Sequence, residues 1–330
     1  MQAADAVAPV WAAWSKAVAG NKGRLWRYGI WAALIVLTLI LVIVSPSFRT
    51  PFNLTNILQQ NSMLGIVACG MLVMMISGGF DLSVGAVGAT ASVVAAWASG
   101  HAPLAAAIVA GLAVGLVVGA VNGILIAKGG INAFMTTFAM ASVVTGLLFA
   151  GTNAAPVTGN APALITLALG RAGQVPYAFI AYIAVAAVTW FLLSRTKWGH
   201  YVYSIGGNRE ASYLSGVPVV TTQFAAFVFG GLCAAFGGLL LLGQSGIGQP
   251  SSATDWPLTA IAICVIGGVP LSGGEGRLHG TIAATLLLGV ITDGLNLLNV
   301  SAYIQPTVTG AVILIAVAVD KISRRRAPGR

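Results

Sequence analysis

Apolar runs long enough to cross a bilayer recur along the whole chain, and they leave few architectures open. Read as helices, they fall near 29–46, 57–77, 82–99, 103–127, 133–151, 175–194, 222–243, 255–271, 278–297 and 303–320. A spanning helix needs roughly 20 mostly apolar residues, because the hydrocarbon core is about 30 Å thick and each residue rises about 1.5 Å. Several of the ten are short or broken by Gly and Pro. The expectation is an all-α polytopic membrane protein with eight to ten transmembrane helices. Only 7% of the 330 residues are charged and 58% are hydrophobic, against roughly 25% charged in a soluble domain. One soluble fold cannot hide so much apolar surface, so the bilayer must be most of the solvent. The run from Gly29 to Val44 follows Arg24 and Arg27 but exceeds the usual signal-peptide core and lacks a small-residue cleavage site. It reads as an uncleaved first span.

The net charge of +9 raises the question of nucleic acid, and the positions of the charges answer it. With the N-terminus inside and all ten runs crossing, fourteen of the 16 Lys and Arg face the cytoplasm, and only Arg49 and Arg171 face outward. Basic residues mark the inner loops of membrane proteins. No basic stripe interleaved with aromatics occurs, so no nucleic-acid partner is expected. Residues 1–28 are expected to form a cytoplasmic segment, 29–320 the transmembrane domain, and 321–330 a basic cytoplasmic tail. Residues 152–174 make a long outer loop, and 195–221 a long, polar inner one.

The stretch "GGFDLSVG" (78–85) stands between two runs, with an aspartate at its centre. The topology puts Asp81 at the inner membrane edge, where a charge is cheaper than at the midplane. There it is expected to cap the next helix through the amides near Ser83 and Val84. The stretch is echoed by "GGVPLSGG" (267–274), which pairs Gly78, Gly79, Ser83 and Gly85 with Gly267, Gly268, Ser272 and Gly274, and Asp81 with Pro270. An internal pseudo-repeat of this kind is common in transporters. Both copies are read as a sharp helix break, with a gate hinge as the alternative role. Gly111, Gly115, Gly119 and Gly123 form a stripe that lets a neighbouring helix come close.

A search for an engine finds none. No phosphate-binding Gly-x-x-x-x-Gly-Lys-Ser/Thr pattern occurs. No run has an Asp, Glu, Lys or Arg at its centre, which argues against ion coupling and intramembrane hydrolysis. Cys69, Cys233 and Cys264 lie in apolar runs without metal-ligand spacing and read as small hydrophobes. No catalytic residue, metal site or resident cofactor is expected. The inner loop offers "GGNREASYLSGV" (206–217), which reads as a short exposed helix with an Asn208 cap and a Gly216 stop. Its length, its caps and Tyr213 point to a docking element for a cytoplasmic partner.

Together, "GGFDLSVG", the inner "GGN-E-A----GV" loop and "GGVPLSGGEG", with "FNLTNILQQNS" (52–62) and "INAFMTTFAMASVVTG" (131–146), resemble the integral-membrane permease of ribose-type sugar ABC importers. The resemblance covers nearly the whole chain. It implies a permease homodimer in the bacterial inner membrane, a cytoplasmic ABC ATPase that carries the ATP and Mg, and a periplasmic sugar-binding protein. It also implies that Asn208, Glu210, Ala211, Ser212 and Gly216 make the segment that seats on the ATPase. The chain departs from the family's pattern at Ser212, where Ala is usual, and at Phe138-Ala139, where Leu-Gly is usual. A sugar path needs uncharged polar contacts, for which Gln59, Gln60, Asn61, Asn122, Thr136, Thr137 and Asn296 are candidates; interhelical bonding is the other reading of each. A stand-alone secondary carrier or channel, and an intramembrane enzyme or structural protein, are the competing functional classes.

Overall fold

The computed structural model describes residues 29–301, 303–305, 307, 308, 310, 311 and 314. Segments 1–28 and 321–330, and most of the expected span at 303–320, lie outside the described residues. The rest is helical: α1 (Gly29–Val44), α2 (Pro51–Ile76), α3 (Val84–Ser99), α4 (Leu104–Gly123) extended by a π-helical turn (Ile124–Lys128), α5 (Ala133–Thr152), α6 (Pro162–Leu169), α7 (Tyr177–Arg195), α8 (Lys197–Gly207), α9 (Arg209–Leu214), α10 (Val219–Ser245), α11 (Trp256–Ile266) and α12 (Leu278–Leu297). Six of these are long and apolar enough to cross a membrane, and α1, α3 and α11 are shorter apolar helices.

The core is built on α10, which packs against α2, α3, α4 and α6. The glycine stripe of α4 makes this closeness: a Cβ on Gly119 would lie 2.6 Å from the Phe227 carbonyl, and one on Gly115 would run into the backbone of Gly231. On the other side of the contact, Cβ atoms at Gly231 and Gly238 would strike Gly115 and Gly88. Without those Cβ atoms the helices approach backbone to backbone, where dispersion and lipid release replace the absent hydrophobic drive.

Loops assigned to the same side of the membrane touch each other. Outside, β1 (Val157–Thr158) pairs with β4 (Ile247–Gly248), β2 (Arg171–Ala172) pairs with β3 (Val175–Pro176), Arg171 Nη1 donates to Thr55 Oγ1 at 2.8 Å, and Asn53 donates to Asp293 at 2.7 Å. Inside, the Gly274 amide donates to Ile76 O at 2.9 Å, and Arg209 reaches Ala127 O at 2.9 Å. Contacts of this kind gather the loops into two groups, as chain segments that cross a bilayer in alternation require.

Three sequence expectations are corrected. The second helix starts at Pro51, not 57, because Thr50 caps it and proline suits the first turn. The outer loop 152–174 contains α6, whose Leu164 and Ala168 are buried against the bundle. The eighth span is not a helix over 255–271. Its helix has 11 residues and is preceded by an irregular stretch, 246–255, that runs along α3. A Cβ on Gly248 would lie 2.6 Å from Val93 Cα, while one on Gly85 would strike the Ala253 carbonyl. From Val93 to Gly85 is about 12 Å along a helix, so the stretch descends that far into the bundle before α11 begins.

Candidate functional site

The inner loop folds into two helices. Thr196 caps α8, its Oγ1 accepting the Gly199 amide at 3.1 Å. Asn208 is extended (φ −160°, ψ 105°), ends α8 and caps α9, its Oδ1 accepting the Ala211 amide at 2.9 Å. Gly216, at φ +80°, ends α9 in the left-handed region where Cβ is unwelcome. Glu210 lies in the first turn, where a negative charge suits the positive helix end. Tyr213 and Leu214 are 71% and 78% exposed, an unusual outlay of apolar surface for a six-residue helix. Within this segment Ser212 is 3% exposed and its Oγ lies 2.7 Å from Ser204 Oγ, so it fastens α9 to α8.

Arg209 anchors α9 to the bundle. Its guanidinium donates to Gln223 Oε1 on α10 and to Ala127 O in the π-turn that closes α4. The last carbonyls of a helix lack internal partners, and a cation there is favoured by the dipole. Behind α9, the end of α8 meets both glycine junctions. A Cβ on Gly206 would strike Ile76 O and the Gly274 amide, and one on Gly273 would lie 2.7 Å from Gly78 Cα. Tyr203 Oη donates to Gly276 O at 2.9 Å, tying α8 to the second junction. Burial raises its pKa, and the nearby Arg277 charge opposes the shift.

The two junctions are the same helix ending. Gly78 N bonds Met75 O and Gly79 N bonds Met74 O; Gly268 N bonds Val265 O and Val269 N bonds Cys264 O. Each places a glycine at φ near +90°: +87° at Gly78 and +92° at Gly268. This is the Schellman pattern. Its register corrects the sequence pairing by one residue: Gly78 answers Gly268, and Asp81 answers Leu271 rather than Pro270. The letters align on Gly-Gly, but the backbone aligns on the glycine that turns.

Asp81 is 1% exposed, so the expected relief by water at a membrane edge is absent. Its carboxylate is held instead by three kinds of donor. Ser83 N and Ser83 Oγ each donate to Oδ1 at 2.6 Å, and Asn122 Nδ2 donates to Oδ2 at 3.1 Å. The bond to the Ser83 amide is the expected one, but Ser83 itself holds the N-cap position of α3 without a side-chain cap bond, so Asp81 ties the turn before the helix instead of capping it.

The seven path candidates stand at different levels. Gln59 is buried near Arg171, whose Nη2 lies 3.5 Å from Gln59 Oε1; Gln60 is exposed; Asn61 donates to Ile57 O at 2.7 Å. Asn122 and Thr137 are fully buried around the Asp81 turn, Thr137 Oγ1 accepting the Leu82 amide at 3.0 Å. Thr136 bonds back to Asn132 O at 3.0 Å, and Asn296, exposed near the outer end of α12, accepts from Gln305 at 2.7 Å. The structure joins Asn122, Thr137 and Asp81 in one network and leaves the other five apart from it. Sequence reasoning missed Arg209 and Leu214, and the stretch 246–255. A basic residue directly after a cap, and an exposed leucine beside Tyr213, were the available signals.

Residues 53–317 match the family described as the branched-chain amino acid transport system / permease component. The chain is 39% identical over 303 residues to the ribose import permease protein RbsC of Bacillus subtilis, covering 91% of this chain and 94% of that one. It is 40% identical over 293 residues to RbsC of Escherichia coli (87% and 91% covered), and 38% identical over 305 residues to the L-arabinose transport system permease protein AraH of the same organism (92% and 93% covered). No solved structure matches it. A helical bundle of spanning length, inner and outer loops segregated by charge and contact, and a match over most of the chain lead to one assignment: the chain belongs to the branched-chain amino acid transport system / permease component family, as a multi-pass inner-membrane permease.

Proposed function

We propose that this chain is the membrane-spanning subunit of an ABC importer that carries a monosaccharide of the pentose type into the cytoplasm. The observation that carries this is the end-to-end similarity, at about two residues in five, to permeases named for ribose and for arabinose. Two copies form the transmembrane unit, a cytoplasmic ATPase holds the ATP and Mg, and a periplasmic binding protein selects and delivers the sugar. The chain itself does no covalent chemistry. Its capped, exposed α9, with Glu210, Ala211, Tyr213 and Leu214 outward, docks on the ATPase, and Asn208 and Gly216 set its ends. Movement of α9 passes to the two glycine junctions, which touch α8, and the bundle opens alternately to either side.

The test is uptake into vesicles holding the permease with its ATPase and binding-protein partners. ATP-dependent entry of D-ribose or L-arabinose is expected. Entry without ATPase or nucleotide identifies a stand-alone carrier or channel instead.

A further inference from the structure

The stretch before α11 is polar and runs from the outer strand β4 along α3 into the bundle. Gln249, Ser251, Ser252, Thr254 and Asp255 sit between Gly248, which rests on Val93 and the Ala96 Cβ, and Trp256, whose ring lies 2.6 Å from where a Gly88 Cβ would be. Ser251, Thr254 and Asp255 are exposed, and Gln249 and Ser252 are partly so. Lipid cannot be what faces them. Non-helical backbone at membrane depth persists only against protein or water, because each unpaired amide or carbonyl costs several kcal/mol in hydrocarbon. An ionisable side chain there turns to a bundle interior or a watery cavity.

The stretch is also built rather than slack. Ser252 N and Oγ donate to Gln249 O at 3.1 and 2.7 Å, and Gln249 Nε2 donates to Ser251 Oγ at 2.8 Å. Ala253 is held at φ +59°, a conformation that a residue with a Cβ keeps only under constraint from its surroundings. Gly85, by lacking a Cβ, admits the Ala253 carbonyl against α3. Asp255 precedes α11 without capping it by its side chain, which leaves the carboxylate free of that duty.

We infer that Gln249, Ser251, Ser252, Thr254 and Asp255 line the path of the transported solute and supply its hydrogen bonds. Hydroxyls, an amide and one carboxylate suit a neutral polyhydroxylated molecule, whose adjacent hydroxyls can donate to a carboxylate and accept from Ser, Thr and Gln. A half-extended, half-helical span is a common way for transporters to bring backbone and side-chain polar groups to the membrane interior. The inference rests on the proposed permease function but concerns a part of the chain outside the seven path candidates named above.

The test uses the full complex reconstituted in vesicles, with Cys69, Cys233 and Cys264 replaced by Ala and single cysteines placed as Ser251→Cys and Thr254→Cys. A positively charged, membrane-impermeant thiosulfonate should modify both, and modification should abolish uptake. The labelling itself needs no knowledge of the sugar. In the same system Gln249→Ala and Asp255→Asn should each raise the D-ribose or L-arabinose concentration for half-maximal uptake about fivefold, with ATPase association intact. Cysteines that do not react overturn the inference, as do cysteines that react while uptake continues. Unchanged concentration dependence in both polar variants overturns it as well. Absence of ATP-driven uptake by the unsubstituted chain would count against the proposed function instead, and the labelling result would still stand or fall by itself.

Discussion

Asn122 Nδ2 lies 3.1 Å from Asp81 Oδ2 and 3.0 Å from Ser83 Oγ, so one amide on α4 clasps both ends of the turn between α2 and α3. All three side chains are at most 1% exposed. A buried carboxylate without a cation survives by hydrogen bonding alone, and Asn122 is the donor that comes from another helix. The Asp81 turn is therefore a polar staple between helices.

Removing that donor should cost more than removing the charge. Asn122→Ala leaves Oδ2 buried without a partner, a loss of about 1.5–3 kcal/mol for a bond to a charged group. Asp81→Asn keeps an oxygen for the Ser83 amide and deletes the buried charge, so the loss should be smaller. Thermal unfolding of the detergent-solubilised permease, followed by retention of a monodisperse peak, ranks the two. The opposite ranking would mean that the carboxylate charge itself is used, as a gate would require.

Adjacent glycines at the end of α8 should behave oppositely. A Cβ on Gly206 would strike Ile76 O and the Gly274 amide, and backbone cannot step aside as a side-chain tip can. Gly206→Ala is expected to cost about 1–3 kcal/mol and to lower uptake, since it wedges α8 away from both junctions. Gly207 has nothing within 4 Å of its Cβ position, so Gly207→Ala should stay within about 0.5 kcal/mol. Equal tolerance in uptake assays would show that the close contact of the three segments is dispensable.

These contacts mark where the sequence was legible. Spanning helices announce themselves by length and apolarity, because both requirements follow from the bilayer alone. The cap and stop of α9 were equally readable, since Asn208 and Gly216 act on their own neighbours. What failed to show was anything decided across the bundle. The polar run "GIGQPSSATD" (246–255) looks like an outer loop until Gly85 and Gly248 bring it against α3. The Asp81 environment depended on Asn122, 41 residues away. The pairing of the two glycine stretches slipped by one because the letters repeat, whereas the helix-ending bonds are set by φ.

The exposed apolar tip of α9 predicts a docking defect. Leu214 is 78% exposed at the end of α9, the helix proposed to dock on the ATPase. Leu214→Asp should leave membrane insertion unchanged and reduce co-purification of the ATPase by about tenfold or more, as a buried charge at an interface core does. Ser212→Ala, by contrast, removes the inward bonds of its hydroxyl to Ser204 Oγ and to Asn208 O, each worth about 0.5–1.5 kcal/mol, and should leave co-purification near normal. If Ser212→Ala weakened ATPase binding more than Leu214→Asp, the assignment of the outward face would be wrong.

Arg209 should govern coupling rather than docking. Its two bonds run backward into the bundle, to Gln223 at the start of α10 and to Ala127 at the end of α4. Ala127 lies five residues beyond Asn122, so the same helix end that receives Arg209 also holds Asp81. A push on α9 can therefore reach the Asp81 turn through the π-turn, a kind of irregularity often found at functional positions. Without Arg209, α9 would still bind the ATPase but would lose its side-chain hydrogen bonds to α10 and to the π-turn. Arg209→Ala is expected to keep ATPase association and hydrolysis within about twofold while uptake per ATP falls about tenfold, within the range of an intersite coupling energy. Arg209→Lys should lie between, because an ammonium keeps the charge but lacks the planar fork that serves both acceptors. Gln223→Leu, which leaves Arg209 its bond to Ala127, should show a milder loss of the same kind. Parallel loss of ATPase binding and uptake in Arg209→Ala would instead make Arg209 part of the docking surface, and unchanged uptake per ATP in all three variants would remove it from the transmission path.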